Sequence, residues 1–239
     1  MERFDRFVHM LQAQSDIDFV LCLGDLIWTE PMDRLKALFG RIEFPVHFVY
    51  GNNDAGRLSE YEAALGPRDS LFEHKGCLFV LFWNCLPEES HQNHMGDISE
   101  EQWAWLEAEL TAGRARGVQH VFLASHVPPT CPNGYYAGFY LFEDAERRFW
   151  DLCDRHQVTA SFFGHLHQDD VFGRDGTEVI ITPSLNWNFV PPAKTGKTPL
   201  NAWEIADEGF FRVVRVRHNG ISHALVPVVL PDERRTGVS

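Results

Sequence analysis

The chain has 239 residues, with 21 basic and 34 acidic side chains, a formal charge of -13 with histidine neutral, and an ordinary globular balance of 44% hydrophobic to 23% charged residues. That length supplies a sizeable core, and a surface so acidic repels nucleic-acid backbones and anionic lipid, excluding a general nucleic-acid or membrane-surface binder. Five cysteines without a CxxC pair exclude a disulfide framework or zinc ribbon and fit a reducing, cytoplasmic setting, while no apolar run reaches the roughly 18 residues of a membrane span. The opening Met1-Glu-Arg-Phe-Asp5 lacks the layout of a secretory signal.

In chain order, Phe4, Val8 and Leu11 recur at i, i+4, i+7 and predict an opening amphipathic helix. Apolar runs follow at 19–23, 46–50, 77–83, 118–124, 158–163 and 178–182, the pattern of strands buried on both faces. Between them, Ser59-Glu-Tyr-Glu62 has the form of a capping box, with Gly66 placed to end its helix. Ser99-Glu-Glu-Gln102 is a second box, flanked by Ile98 and Trp103 at hydrophobic-staple positions, and Leu106 and Leu110 extend the buried face. Ala145, Phe149, Leu152 and Cys153 mark another amphipathic helix. Residues 191–199 read as an exposed loop, and 210–229 as a hairpin turning at Asn219-Gly220. Strands alternating with helices predict an α/β fold, taken as one domain over 1–239.

Four apolar runs share one kind of ending: Gly24-Asp25, Gly51-Asn52-Asn53-Asp54, Ser125-His126 and Gly164-His165-Leu166-His167. Ligands of open α/β sheets bind at the carboxyl ends of strands, so these tails are expected to converge on one edge. Carboxylate, amide and imidazole donors form a mixed N/O set suited to Mn, Fe, Zn or Co. Each tail taken alone also reads as turn chemistry or a hydrogen-bonded strand end. Their joint occurrence in this order favours metal binding.

The combination resembles the calcineurin-like metallophosphoesterase superfamily, whose signature runs D-x-H, G-D, G-N-H-[DE], H and G-H-x-H. The resemblance covers about 19–182. The segment Gln102–Leu110 also resembles a helix of bacterial members similar to cyclic-nucleotide phosphodiesterases. It implies a four-layer α/β/β/α sandwich with two divalent ions between its sheets. It implies that Asp25 bridges the ions, that Asn52, His126 and His165 complete the second site, and that His167 serves the first. Hydrolysis of phosphomonoesters or phosphodiesters by a metal-bound hydroxide follows from the resemblance, with a small phosphorylated substrate and no nucleic-acid or membrane partner.

Two departures stand out. The D-x-H motif has no counterpart, so the fold is expected to lack its first strand and to hold one ion well and a second weakly or not at all. Asp5, His9, Asp16 and Asp18 are poor substitutes. Asn53 stands where the motif carries a catalytic histidine, and an amide cannot act as a general acid; Asp54 is expected to support the ligands from behind. A degenerate, non-catalytic domain of the same fold is therefore the alternative to an enzyme. A protein phosphatase or nuclease would share the chemistry, with the acidic balance against the nuclease. Tyr135 and Tyr136, in an aromatic segment after His126, are candidates for substrate binding or for packing. His91-Gln-Asn-His94 reads as a solvated loop.

Overall fold

The computed structural model describes residues 2–26, 30–87, 94–130, 132, 138–190 and 204–230. In chain order the elements are α1 (Glu2–Gln12), β1 (Val20–Leu23), α2 (Met32–Phe39), β2 (Val46–Val49), a 3₁₀ turn (Asn52–Arg57), α3 (Leu58–Leu65), β3 (Ser70–His74) and β4 (Cys77–Leu81). There follow α4 (Glu100–Arg116), β5 (His120–Ala124), α5 (Glu143–His156), β6 (Ala160–Phe163), β7 (Asp170–Arg174) and β8 (Thr177–Ile181). Then come β9 (Asn188–Val190), β10 (Glu204–Ala206), β11 (Gly209–Arg217) and β12 (Gly220–Val228).

A six-stranded sheet in the order β3-β4-β5-β6-β8-β7 forms the centre. Strands β4, β5, β6 and β8 run parallel, and the hairpin partners β3 and β7 close the two edges antiparallel. One face packs Leu78, Val80, Val121, Leu123 and Val179 against Leu106 and Leu110 of α4 and Phe149 and Leu152 of α5. The other face presents Phe79, Leu81, Phe122, Phe162 and Ile180 to Leu21 and Leu23 of β1, Val49 of β2, and Val214 and Ile221 of the β11–β12 hairpin. Beyond that layer, Phe4, Phe7, Val8 and Leu11 of α1 and Leu38 of α2 cover Val20, Val46, Phe211 and Val228. The result is the expected α/β/β/α sandwich, with apolar faces meeting at three interfaces. Each fully buried Leu or Phe contributes roughly 1.5–3 kcal/mol to closing them.

The expected strands and both long helices form, and the Ser99 box closes. Ser99 Oγ accepts from Gln102 N at 3.3 Å and Gln102 Oε1 accepts from Ser99 N at 3.1 Å, over a buried Ile98 and Trp103. Other details differ. The Ser59 box does not form: the 3₁₀ turn feeds α3 directly, so Arg57 occupies the cap position and Ser59 lies inside the first turn. The hairpin reverses over His218-Asn219, with Arg217 paired to Gly220, and Gly220 takes a positive φ of 135°. This register keeps Val214 and Ile221 on the inter-sheet face; a one-residue slip would turn them out.

Burial on both faces holds for β4, β5 and β6 but not for β1, which is half-buried throughout. Among the described residues its sheet contains only β1 and β2, in parallel register from Val20↔Val46 to Leu23↔Val49. The region 191–199 lies outside the described residues. Cys77, Cys85 and Cys153 are buried, Cys22 is half-buried, and all four are unpaired. No helix among the described residues is long and apolar enough to cross a membrane.

Candidate metal centre

The carboxyl ends of β1, β2, β5 and β6 meet between the two central layers. Ring and carboxylate atoms of Asp25, His126 and His165 lie within 4.8 Å of one another. His126 Nε2 is the hub: 3.4 Å from Asp25 Oδ2, 3.2 Å from Asn52 Oδ1 and 3.2 Å from His165 Nδ1. Asn52 and His126 are buried, at 5% and 1% exposure. Donors arranged tetrahedrally at about 2.1 Å from an ion stand about 3.4 Å apart, so this spacing fits a divalent cation.

Local backbone explains how the chains turn into the cluster. Asp25, His165 and His167 take positive φ angles of 52°, 66° and 49°, a conformation that few non-glycine residues adopt. A Cβ at Gly51 would overlap the Asp25 carboxylate, and one at Gly24 would overlap His126 Nδ1, so both glycines are required for close approach. Asn84 fixes the segment after β5 by donating to Val127 O at 2.7 Å and accepting from Val127 N at 3.0 Å. Asp54 accepts from Gly51 N at 2.7 Å and Leu26 N at 3.0 Å, tying the β1 and β2 tails together.

The imidazoles share one arrangement. His126 Nδ1 donates to Leu23 O at 2.7 Å, His165 Nε2 to His94 O at 2.8 Å, and His167 Nδ1 to Trp187 O at 2.8 Å. Each carbonyl claims the proton of one ring nitrogen and leaves the other nitrogen as a lone-pair donor, which is the usual outer-sphere support of a metal-bound histidine. Two such nitrogens, on His126 and His165, face each other directly, an arrangement that a cation between them stabilises. The residues therefore fit a divalent ion.

Charges in the cluster are strongly coupled. Burial opposes ionisation of Asp25, but His126 beside it and the Asn53 amide groups hold its carboxyl well below the usual carboxylate range. Burial likewise disfavours a charged His126, yet the Asp25 carboxylate outweighs it and raises His126. His165 is pushed down to about 3 by burial and by the charge on His126. Burial also lowers His167. Asp54, fully enclosed, is pushed up to about 7 by burial, against its backbone N–H partners. The cluster thus holds one firm negative charge, on Asp25, while His165 and His167 are both shifted toward the neutral imidazole.

Asn53 stands beside the cluster but faces Asp25: its Nδ2 donates to Asp25 Oδ2 at 2.8 Å and its backbone N to Oδ1 at 3.0 Å. His167 lies on the rim, with its ring stacked on Trp187 at 3.9 Å. Tyr135 and Tyr136 lie outside the described residues, as does His91. His94 is exposed, as a solvated loop requires, yet its carbonyl supports His165 and its ring stacks on Phe139 at 4.8 Å. The three aspartates that could stand in for D-x-H are engaged elsewhere. Asp5 pairs with Arg41, Asp16 with Arg215, and Asp18 with Lys75 and His74. Sequence reasoning missed Trp187, Asn188 and Arg3. The strand-end rule, carried past 182, would have flagged the aromatic Trp187, and Arg3 breaks the apolar face it shares with Phe7.

The calcineurin-like phosphoesterase family profile matches residues 1–169. The endopolyphosphatase of Cryptococcus neoformans var. neoformans is 36% identical over 113 residues, 45% of this chain and 15% of that protein. Human serine/threonine-protein phosphatase CPPED1 is 27% identical over 174 residues, 63% of this chain and 53% of its own length. The chain thus spans about half or less of these curated relatives. The crystal structure of a dimetal phosphatase from Danio rerio superposes with a TM-score of 0.64 at 16% identity, covering 95% of this chain and 89% of that one, a likeness of fold. With the strand-end motifs, the layered sandwich and the profile match over most of its length in agreement, this chain belongs to the calcineurin-like phosphoesterase family.

Proposed function

We propose that this chain is a metal-dependent phosphoesterase acting on small phosphomonoesters or phosphodiesters, built as one domain over 1–239 and working in the cytoplasm. The observation that carries the reading is the four-donor cluster of Asp25, Asn52, His126 and His165, whose histidines have their second ring nitrogens held by backbone carbonyls. A bound divalent ion of the Mn, Fe, Zn or Co type would supply Lewis acidity at phosphorus and lower the pKa of coordinated water. Asp25 would be shared between that ion and a second one beside His167. Asp54 keeps the two loops in register, and Asn53 orients the Asp25 carboxylate rather than donating a proton to substrate. Without a general acid, which typically contributes about 10²–10⁴ in rate, esters with good leaving groups are the preferred substrates. Unpaired Cys22, Cys77, Cys85 and Cys153 support a reducing compartment. The likeness to an endopolyphosphatase and to a serine/threonine-protein phosphatase makes polyphosphate and phosphopeptides the next substrates to try.

The test is hydrolysis of an aryl phosphate by purified protein with added Mn(II). Asp25→Ala and His165→Ala should each lower the rate at least 10³-fold; turnover that survives both sinks the assignment. A second reading, a non-catalytic domain that keeps the fold for binding, is favoured by one observation: the Asn53 amide is committed to Asp25. Elemental analysis separates the two, since that reading expects no bound transition metal and no rescue by excess Mn(II).

A further inference from the structure

His167 is gripped by a short loop, 184–189, that belongs to none of the signature motifs. The indole of Trp187 stacks on the imidazole at 3.9 Å with planes 28° apart, and Phe189 closes edge-on against the indole at 5.1 Å. The same loop holds both the ring and the backbone of His167: Trp187 O accepts from His167 Nδ1 at 2.8 Å, and Phe189 N donates to His167 O at 2.9 Å. Because a carbonyl only accepts, the proton must sit on Nδ1 and the lone pair on Nε2.

The loop is itself held from beneath. Asn188, 5% exposed, accepts from Ser184 N at 2.6 Å and donates to Ser184 O at 3.0 Å and Glu208 O at 2.7 Å. Phe210 N donates to Ser184 O at 3.1 Å, joining the loop to β11. From α1, the buried Arg3 donates to Asn186 O at 2.5 Å and pairs with Asp207 at 2.6 Å. The opening helix therefore connects to the imidazole through Arg3, Asn186 and Trp187.

We propose that the 184–189 loop is a positioning device for His167, with Trp187 the positioning residue that sets the plane of the imidazole and its backbone carbonyl the group that sets the tautomer, so that Nε2 is offered to an ion beside the four-donor cluster. The proposal rests on the metallophosphoesterase reading for what the imidazole serves, but its geometry does not. Outer-sphere partners of metal-bound histidines typically contribute 10–100-fold to affinity; the Trp187 carbonyl has that place here, and the stacked indole holds the ring against it. The site that His167 serves, expected to be weak for want of D-x-H, depends the more on such support.

Nitrogen-15 NMR of histidine side chains in the metal-free protein tests the tautomer directly. His167 should show a slowly exchanging Nδ1–H in the wild type, and Asn188→Ala should shift it toward the Nε2–H form that free imidazole prefers. Calorimetric titration with Mn(II) tests the stacking. Trp187→Leu keeps an apolar side chain but cannot stack, and should weaken Mn(II) binding at the His167 site 10–100-fold; Trp187→Phe should recover most of the loss. An Nε2–H tautomer in the wild type overturns the proposal, as does an Mn(II) affinity unchanged in Trp187→Leu. If the wild type takes up no Mn(II) while His167 keeps its Nδ1–H, the phosphoesterase reading fails and the positioning loop stands. Should Trp187→Leu or Asn188→Ala fail to fold, the wild-type tautomer and Trp187→Phe still decide, since a phenylalanine variant that binds Mn(II) as weakly as metal-site variants contradicts a stacking role.

Discussion

Strand β5 is buried along its whole length, whereas β1 is half-exposed from end to end, yet the two deliver His126 and Asp25 to the same cluster. The difference lies in their neighbours. Strand β5 has a hydrogen-bonded strand on each side and an apolar layer on each face; β1 pairs with β2 alone among the described residues. His126 is accordingly placed by packing, with Asn84 and the Leu23 carbonyl as refinements. Asp25 is placed mainly by polar contacts: the Asn53 amides on its carboxylate, and Asp54 across the two loop backbones. One half of the site is held by the core and the other by hydrogen bonds.

Substitutions that cut packing should therefore separate the halves. Leu123→Ala, at a fully buried position of β5, should lower unfolding free energy in urea by about 3–4 kcal/mol. Asp54→Ala strands the Gly51 and Leu26 N–H groups and should cost about 2–3 kcal/mol, with a larger loss of Mn(II) affinity than Leu123→Ala at equal folded fraction. Leu21→Ala in β1, the same deletion on a half-buried strand, should cost only about 1–2 kcal/mol. Equal losses at positions 21 and 123 would refute the contrast.

The smallest expected effect concerns protons. Asp25 raises His126, so a proton and an ion compete for the His126 nitrogen that faces Asp25. Asp25 itself, held low, stays ionised and adds nothing over the neutral range. Mn(II) affinity should thus fall as pH falls through the His126 titration, by roughly tenfold per pH unit, with about one proton released per ion bound. Calorimetry in buffers of different ionisation enthalpy measures that proton; a pH-independent affinity would place the ion away from His126.

Much of this was legible in the sequence. Apolar runs ending in Gly-Asp, Gly-Asn or Gly-His announced both the strands and the edge at which they meet, because period and termination are local properties. Side-chain contacts with distant backbone were not legible. Nothing in the residues around His167 names Trp187 O as its partner, and nothing in Asn53 says that its amide turns to Asp25 instead of substrate. Strands β3 and β7 were missed for a related reason: each mixes polar with apolar residues at a sheet edge, where burial imposes no continuous pattern. The half-burial of β1 was hidden too, since Val20–Leu23 reads like the fully buried runs and differs only in its neighbours.

The left-handed backbone at Asp25, His165 and His167 bears on how this protein can change. For a residue with a Cβ, that conformation costs roughly 1–2 kcal/mol relative to glycine. Selection for stability alone would replace these side chains with glycine or asparagine, so a screen for heat-resistant variants should enrich for changes at the three positions, with loss of metal as their signature. On the proposed function, the cluster trades robustness for chemistry, and a lineage released from that chemistry would drift there first.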